Sequence, residues 1–107
     1  VHINGLQGLI RIRPPVLYAA VESAVRGLCE SLRWEAAAYG VHVTLITLGS
    51  VANEEPAAVD AGRLMEDGLR RSLSRGEVAD AVLFCLSRPA GVNVDELALT
   101  PLHQQLL

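Results

Sequence analysis

The run VHVTLITL, residues 41–48, constrains the fold most. It is apolar or β-branched at nearly every position and lacks the alternation of a strand with one wet face. A strand of this kind must be covered on both sides. Such strands belong to parallel sheets, whose crossover connections lay helices over the faces. Half of the chain is apolar and a fifth is charged, which permits a packed core and argues against disorder.

The segments around this run fit that scheme. VHIN, residues 1–4, reads as the end of a strand, and the loop after it runs to Pro14 and Pro15. A helix is predicted over 16–39, where Val21, Ala24, Val25, Leu28, Leu32 and Ala36 recur at helical spacing. Small residues between Ala19 and Gly27 permit close packing. Glu22 precedes Arg26 in the order that favours an i,i+4 ion pair. Gly40 suits the left-handed position just past a helix end. The loop GSVANEEP leads to an amphipathic helix predicted over 57–73. Ser74 and Glu77 form a capping-box pattern that starts a helix over 75–87. VNVDELAL, residues 92–99, alternates and reads as a last strand. The order strand, helix, strand, helix, helix, strand predicts an α/β parallel layer fold. So few strands leave exposed edges, and the apolar ones call for neighbours. Opening on Val1 in mid-pattern, residues 1–107 read as a single partial domain.

The formal net charge is -3 over 107 residues. Arg70, Arg71 and Arg75 have Glu66, Asp67 and Glu77 nearby, the pattern of a solvated helix face rather than a nucleic-acid surface. No apolar run reaches the roughly 18 residues of a bilayer span, and no signal peptide is visible. Neither nucleic acid nor membrane is an expected partner. Cys29 and Cys85 stand in apolar helical patterns and are expected as buried reduced thiols, which suits the cytoplasm. His2, His42 and His103 lack metal-ligand spacing, so no metal site is expected. Trp34 is read as a packing residue.

RPPVLYAAVESAVRGLCESLRWEAAAYGVHVTLITLGSVANE, residues 13–54, resembles the second half of a short-chain dehydrogenase/reductase. The tail EVADAVLFCLSRPAGVNVDELALTP, residues 77–101, is similar to the closing helix and strand of the same family, nearest to the branch acting on short hydroxy acids and related alcohols. The resemblance implies the C-terminal part of a Rossmann-like doubly wound parallel sheet. It also implies hydride transfer between NAD or NADP and a small carbonyl or alcohol substrate. By that likeness Tyr18 holds the place of the catalytic tyrosine. The lysine of the Y-x-x-x-K pattern is replaced by Glu22. The serine that polarises the substrate carbonyl falls on Gly5. In the loop after the second strand Leu48 replaces a proline. Gly49, Val51 and Asn53 take the cofactor-contacting places, Asn53 standing for a threonine.

These departures have a physical meaning. A cation one turn from a phenol favours the phenolate needed for proton transfer, and a carboxylate there opposes it. Gly5 has no hydroxyl and offers only its backbone N–H. Glu22 is read either as a solvated partner of Arg26 or as a residual contact to a cofactor ribose. The family's glycine-rich phosphate turn does not occur, and GLQG, residues 5–8, has the wrong spacing. Two functional readings follow. One is an NAD(P)-dependent oxidoreductase represented by its catalytic-helix half, inactive alone. The other is a non-catalytic structural module forming a homo-oligomer through helix 16–39 and strand 92–99, as the resemblance implies. A decayed gene product is a third.

Overall fold

A computed structural model describes residues 1–5, 16–52 and 72–102. The described elements run β1 (His2–Gly5), α1 (Val16–Ala37), β2 (Leu45–Leu48), α2 (Arg75–Leu86) and β3 (Glu96–Leu99). The three strands form one parallel sheet in the order β1-β2-β3. His2 is in register with Leu45 and Gly5 with Leu48; on the other side Leu45 faces Glu96 and Leu48 faces Leu99.

The apolar run occupies the centre of this sheet, as its composition requires. Leu45, Ile46 and Thr47 are the largest fully buried side chains. Alternation puts Leu45 and Thr47 on one face and Ile46 on the other. Leu45 joins Cys29 and Val43 in the core, with Val25 and Ala36 of α1 packed against them. Cys29 and Cys85 are both buried free thiols, as expected.

The regular strands are shorter than the apolar runs. Single hydrogen bonds extend β2 at both ends: His2 N–H donates to the Thr44 carbonyl at 2.9 Å, and Gly49 N–H to that of Leu99 at 2.8 Å. At Val43 the backbone ladder gives way to a side chain. The Asn93 carboxamide accepts from Val43 N–H at 3.0 Å and donates to the Val43 carbonyl at 2.9 Å. One amide group thus fills the place of a strand backbone, and β3 begins at Glu96 rather than at Val92.

The helix boundaries follow their caps. Ser74 accepts from Glu77 N–H while the Glu77 carboxylate takes Ser74 N–H at 2.8 Å, the predicted capping box at the start of α2. After α1, Gly40 has φ 68°, Val41 N–H reaches the Ala36 carbonyl and Gly40 N–H that of Ala37. This is the paired bonding of a Schellman C-cap, so α1 closes at Ala37 instead of Tyr39. The helix predicted over 57–73 lies outside the described residues except at its end. There Leu73 pairs in parallel with Val51 as an isolated bridge, so its last residue is extended.

The face of α1 also differs from expectation. Val25, Cys29 and Ala36 point at the sheet, while Val21, Leu28 and Leu32 are exposed, as is Trp34 at 82%. The apolar positions fall into two stripes, and only one meets the sheet.

Candidate active site

In open parallel sheets ligands bind beyond the carboxyl ends of the strands. Here those ends are Gly5 of β1, Leu48 and Gly49 of β2, and Leu99 of β3. Gly5 and Leu48 stand side by side in register, and the start of α1 lies against β1. Tyr18 occupies the first turn of α1 and is exposed at 63%. No hydrogen bond of its hydroxyl exists among the described residues.

Glu22 is one turn further into α1 and makes two contacts with the end of β1. Its carboxylate Oε2 accepts from Gly5 N–H at 2.7 Å. Its main-chain carbonyl accepts from Nδ2 of Asn4 at 3.0 Å, and Asn4 is buried. The structure therefore brings together two of the expected site residues, Glu22 and Gly5, and spends both on each other. Asn4 was missed from the sequence. A polar residue inside an apolar strand end was the signal that could have found it, since a buried amide requires a partner.

The expected Glu22–Arg26 pair does not form. Arg26 crosses β2 instead, reaching Glu96 of β3 at 2.6 Å and the Thr47 hydroxyl at 3.4 Å. The longer guanidinium reaches the next strand, while the shorter carboxylate turns to β1. The hydrogen bond from Arg26 holds the Glu96 carboxyl below its ordinary range, and the same bond holds the Arg26 guanidinium above its own. Arg26 Nε is buried without a hydrogen-bond partner. Arg33 is likewise committed to β3's approach, donating to the Asp95 carbonyl at 2.7 Å and pairing with its carboxylate at 3.3 Å.

The remaining expected positions lie on the loop after β2. Gly49 continues the β2–β3 ladder through its N–H and needs no left-handed backbone. Val51 bridges to Leu73, and Ala52 N–H donates to the Leu73 carbonyl at 2.9 Å. Asn53 lies outside the described residues. No group of His, Cys, Asp and Glu able to hold a metal occurs among the described residues, and no helix there is long and apolar enough to cross a membrane.

The site does not fit a nicotinamide dinucleotide in the family's way. Glu22, which by the resemblance stands at the family's lysine position, carries a carboxylate already bonded to Gly5 N–H. That bond also removes the donor that Gly5 could turn toward a carbonyl oxygen.

No family model matches the chain. An uncharacterized oxidoreductase of Staphylococcus epidermidis is 30% identical over 101 residues, covering 94% of this chain and 41% of the relative. An uncharacterized oxidoreductase of Staphylococcus aureus strain USA300 is 32% identical with the same coverage. The chain thus spans about two fifths of the length of the curated relatives it matches. Among solved structures, serine dehydrogenase from Escherichia coli superposes with a TM-score of 0.73 at 25% identity, over 96% of this chain and 39% of that one. A closed form of serine dehydrogenase complexed with NADP+ gives 0.75 at 26% identity, over 96% and 44%. With its parallel strands and helices matching a part of such a sheet, the chain is similar to about two fifths of these oxidoreductases and carries part of a short-chain dehydrogenase/reductase-like Rossmann fold.

Proposed function

We propose that the chain is the C-terminal, catalytic-helix half of a short-chain dehydrogenase/reductase and that it does not turn over by itself. The family activity is NAD(P)-dependent oxidoreduction of a carbonyl or alcohol. The observation that carries this reading is the commitment of the α1 cations. Tyr18 stands exposed at the carboxyl end of the sheet, where a proton shuttle belongs. Arg26 and Arg33, the only basic residues in the α1 sequence, are both engaged toward β3. No cation of α1 is left to favour the Tyr18 phenolate, and the residue one turn on is a carboxylate. A serine dehydrogenase in complex with NADP+ among the structural neighbours supports a nicotinamide cofactor for the family.

Titrating the chain with NADH and NADPH in a calorimeter tests this. We expect no saturable heat at millimolar cofactor, and no absorbance change at the nicotinamide band with short hydroxy acids or alcohols. Micromolar binding or turnover by the chain alone would overturn the reading. The buried thiols of Cys29 and Cys85 support a cytoplasmic location. The second reading, a homo-oligomeric module, is favoured by the exposed residues Leu17, Val21, Leu28 and Leu32 on one side of α1.

A further inference from the structure

The edge of β1 carries a contact that the family's chemistry does not use. His2 N–H points at β2, donating to Thr44. In a parallel strand successive N–H groups alternate in direction, so Asn4 N–H points the same way and Gly5 N–H points away from β2. Among the described residues β1 is bordered by β2 alone. Gly5 N–H therefore points to the side of β1 away from β2, and among the described residues no strand reaches it there. The Glu22 carboxylate sits on that donor at 2.7 Å, and Asn4 ties the Glu22 carbonyl to the same strand end.

We propose that Glu22 is a positioning residue, a clasp that closes the carboxyl end of β1. By the resemblance it takes the place of the family's lysine. Glu22 turns its charge toward the strand and satisfies a backbone N–H that β2 does not reach. The two contacts join the first turns of α1 to the last residues of β1. A charge-assisted bond of this length is among the stronger ones, and a lysine at 22 releases the clasp.

Amide hydrogen exchange of the full chain, read at Gly5 against Ile46 in the same sample, tests the clasp. Ile46 in the central strand reports global opening, and Gly5 reports the local contact. We expect Gly5 in the wild type to be protected about tenfold or more over an open amide. Glu22→Ala and Glu22→Lys should abolish that protection with Ile46 unchanged. Glu22→Gln, which keeps an acceptor oxygen and loses the charge, should keep part of it. Free exchange at Gly5 in the folded wild type would overturn the clasp, as would undiminished protection in Glu22→Ala. Should Glu22→Ala fail to fold, the wild type and Glu22→Gln decide the matter. Cofactor binding by the wild-type chain would sink the functional reading and leave this measurement intact.

Discussion

Arg26 and Glu96 show how one pair of side chains can set a pH dependence. The guanidinium lies half-shielded between α1 and the sheet and donates to Glu96 at 2.7 Å. Its hydrogen bond holds the Glu96 carboxyl below the usual carboxylate range. A depressed carboxyl stabilises the fold above its unfolded value, and that contribution is lost as the pH falls through the folded value. The relevant window therefore lies below about pH 4.5. The Glu96 side chain is 37% exposed, so solvent screening limits the pair to about 0.5–1 kcal/mol. Glu96→Gln should lower the unfolding free energy from urea titration at pH 6 by that amount. The gap between variant and wild type should close as the pH approaches 3. An equal gap at pH 6 and pH 3 would show that the charge is not the source. Arg26, whose ionisation the bond to Glu96 pushes further upward, stays charged throughout this range.

At the scale of the elements, end signals were legible and partners were not. The Ser74–Glu77 capping box and the Gly40 stop are local, with each cap's partners close by along the chain. Their chemistry is decided before tertiary structure forms. Gly40 has φ 68° and open space where a Cβ would stand. Gly40→Ala should therefore cost about 1–2 kcal/mol through backbone conformation alone. A thermal melt within about 1 °C of wild type would contradict this. Strand lengths were overestimated because 41–44 is largely apolar or β-branched and 92–95 alternates as a strand does. Yet Asn93 caps Val43 with its own amide, and that contact spans fifty positions in sequence. The partner choice of Glu22 and Arg26 was hidden for the same reason. Helical spacing predicts that they can meet, but not that β1 offers an N–H and β3 a carboxylate. Tyr18, Gly5 and Glu22 were identified by family pattern, whereas the bond between the last two needed the register of β1 against α1.

The described residues show an imbalance between what is buried and what is displayed. The buried core contains Leu45, Ile46, Val43, Leu73, Ala81 and the two cysteines, while Leu17, Val21, Leu28 and Leu32 of α1 remain between 46% and 79% exposed. Those four recur at spacings of four and seven, which keeps them within a narrow sector beside the buried stripe. Under the proposed homo-oligomeric reading a second copy of the chain covers this stripe, because two like stripes on antiparallel helices complement one another across a twofold axis. Sedimentation should then show a concentration-dependent dimer. The variant Leu28→Glu with Leu32→Glu should sediment as a monomer. Because both side chains are already exposed, its folding stability should change by no more than about 0.5 kcal/mol for each site. A wild-type chain that stays monomeric up to millimolar concentration would exclude self-association and leave the stripe to a different partner. A double variant that still dimerises would move the contact to another surface, with the edge of β3 the next to test by the same measurement.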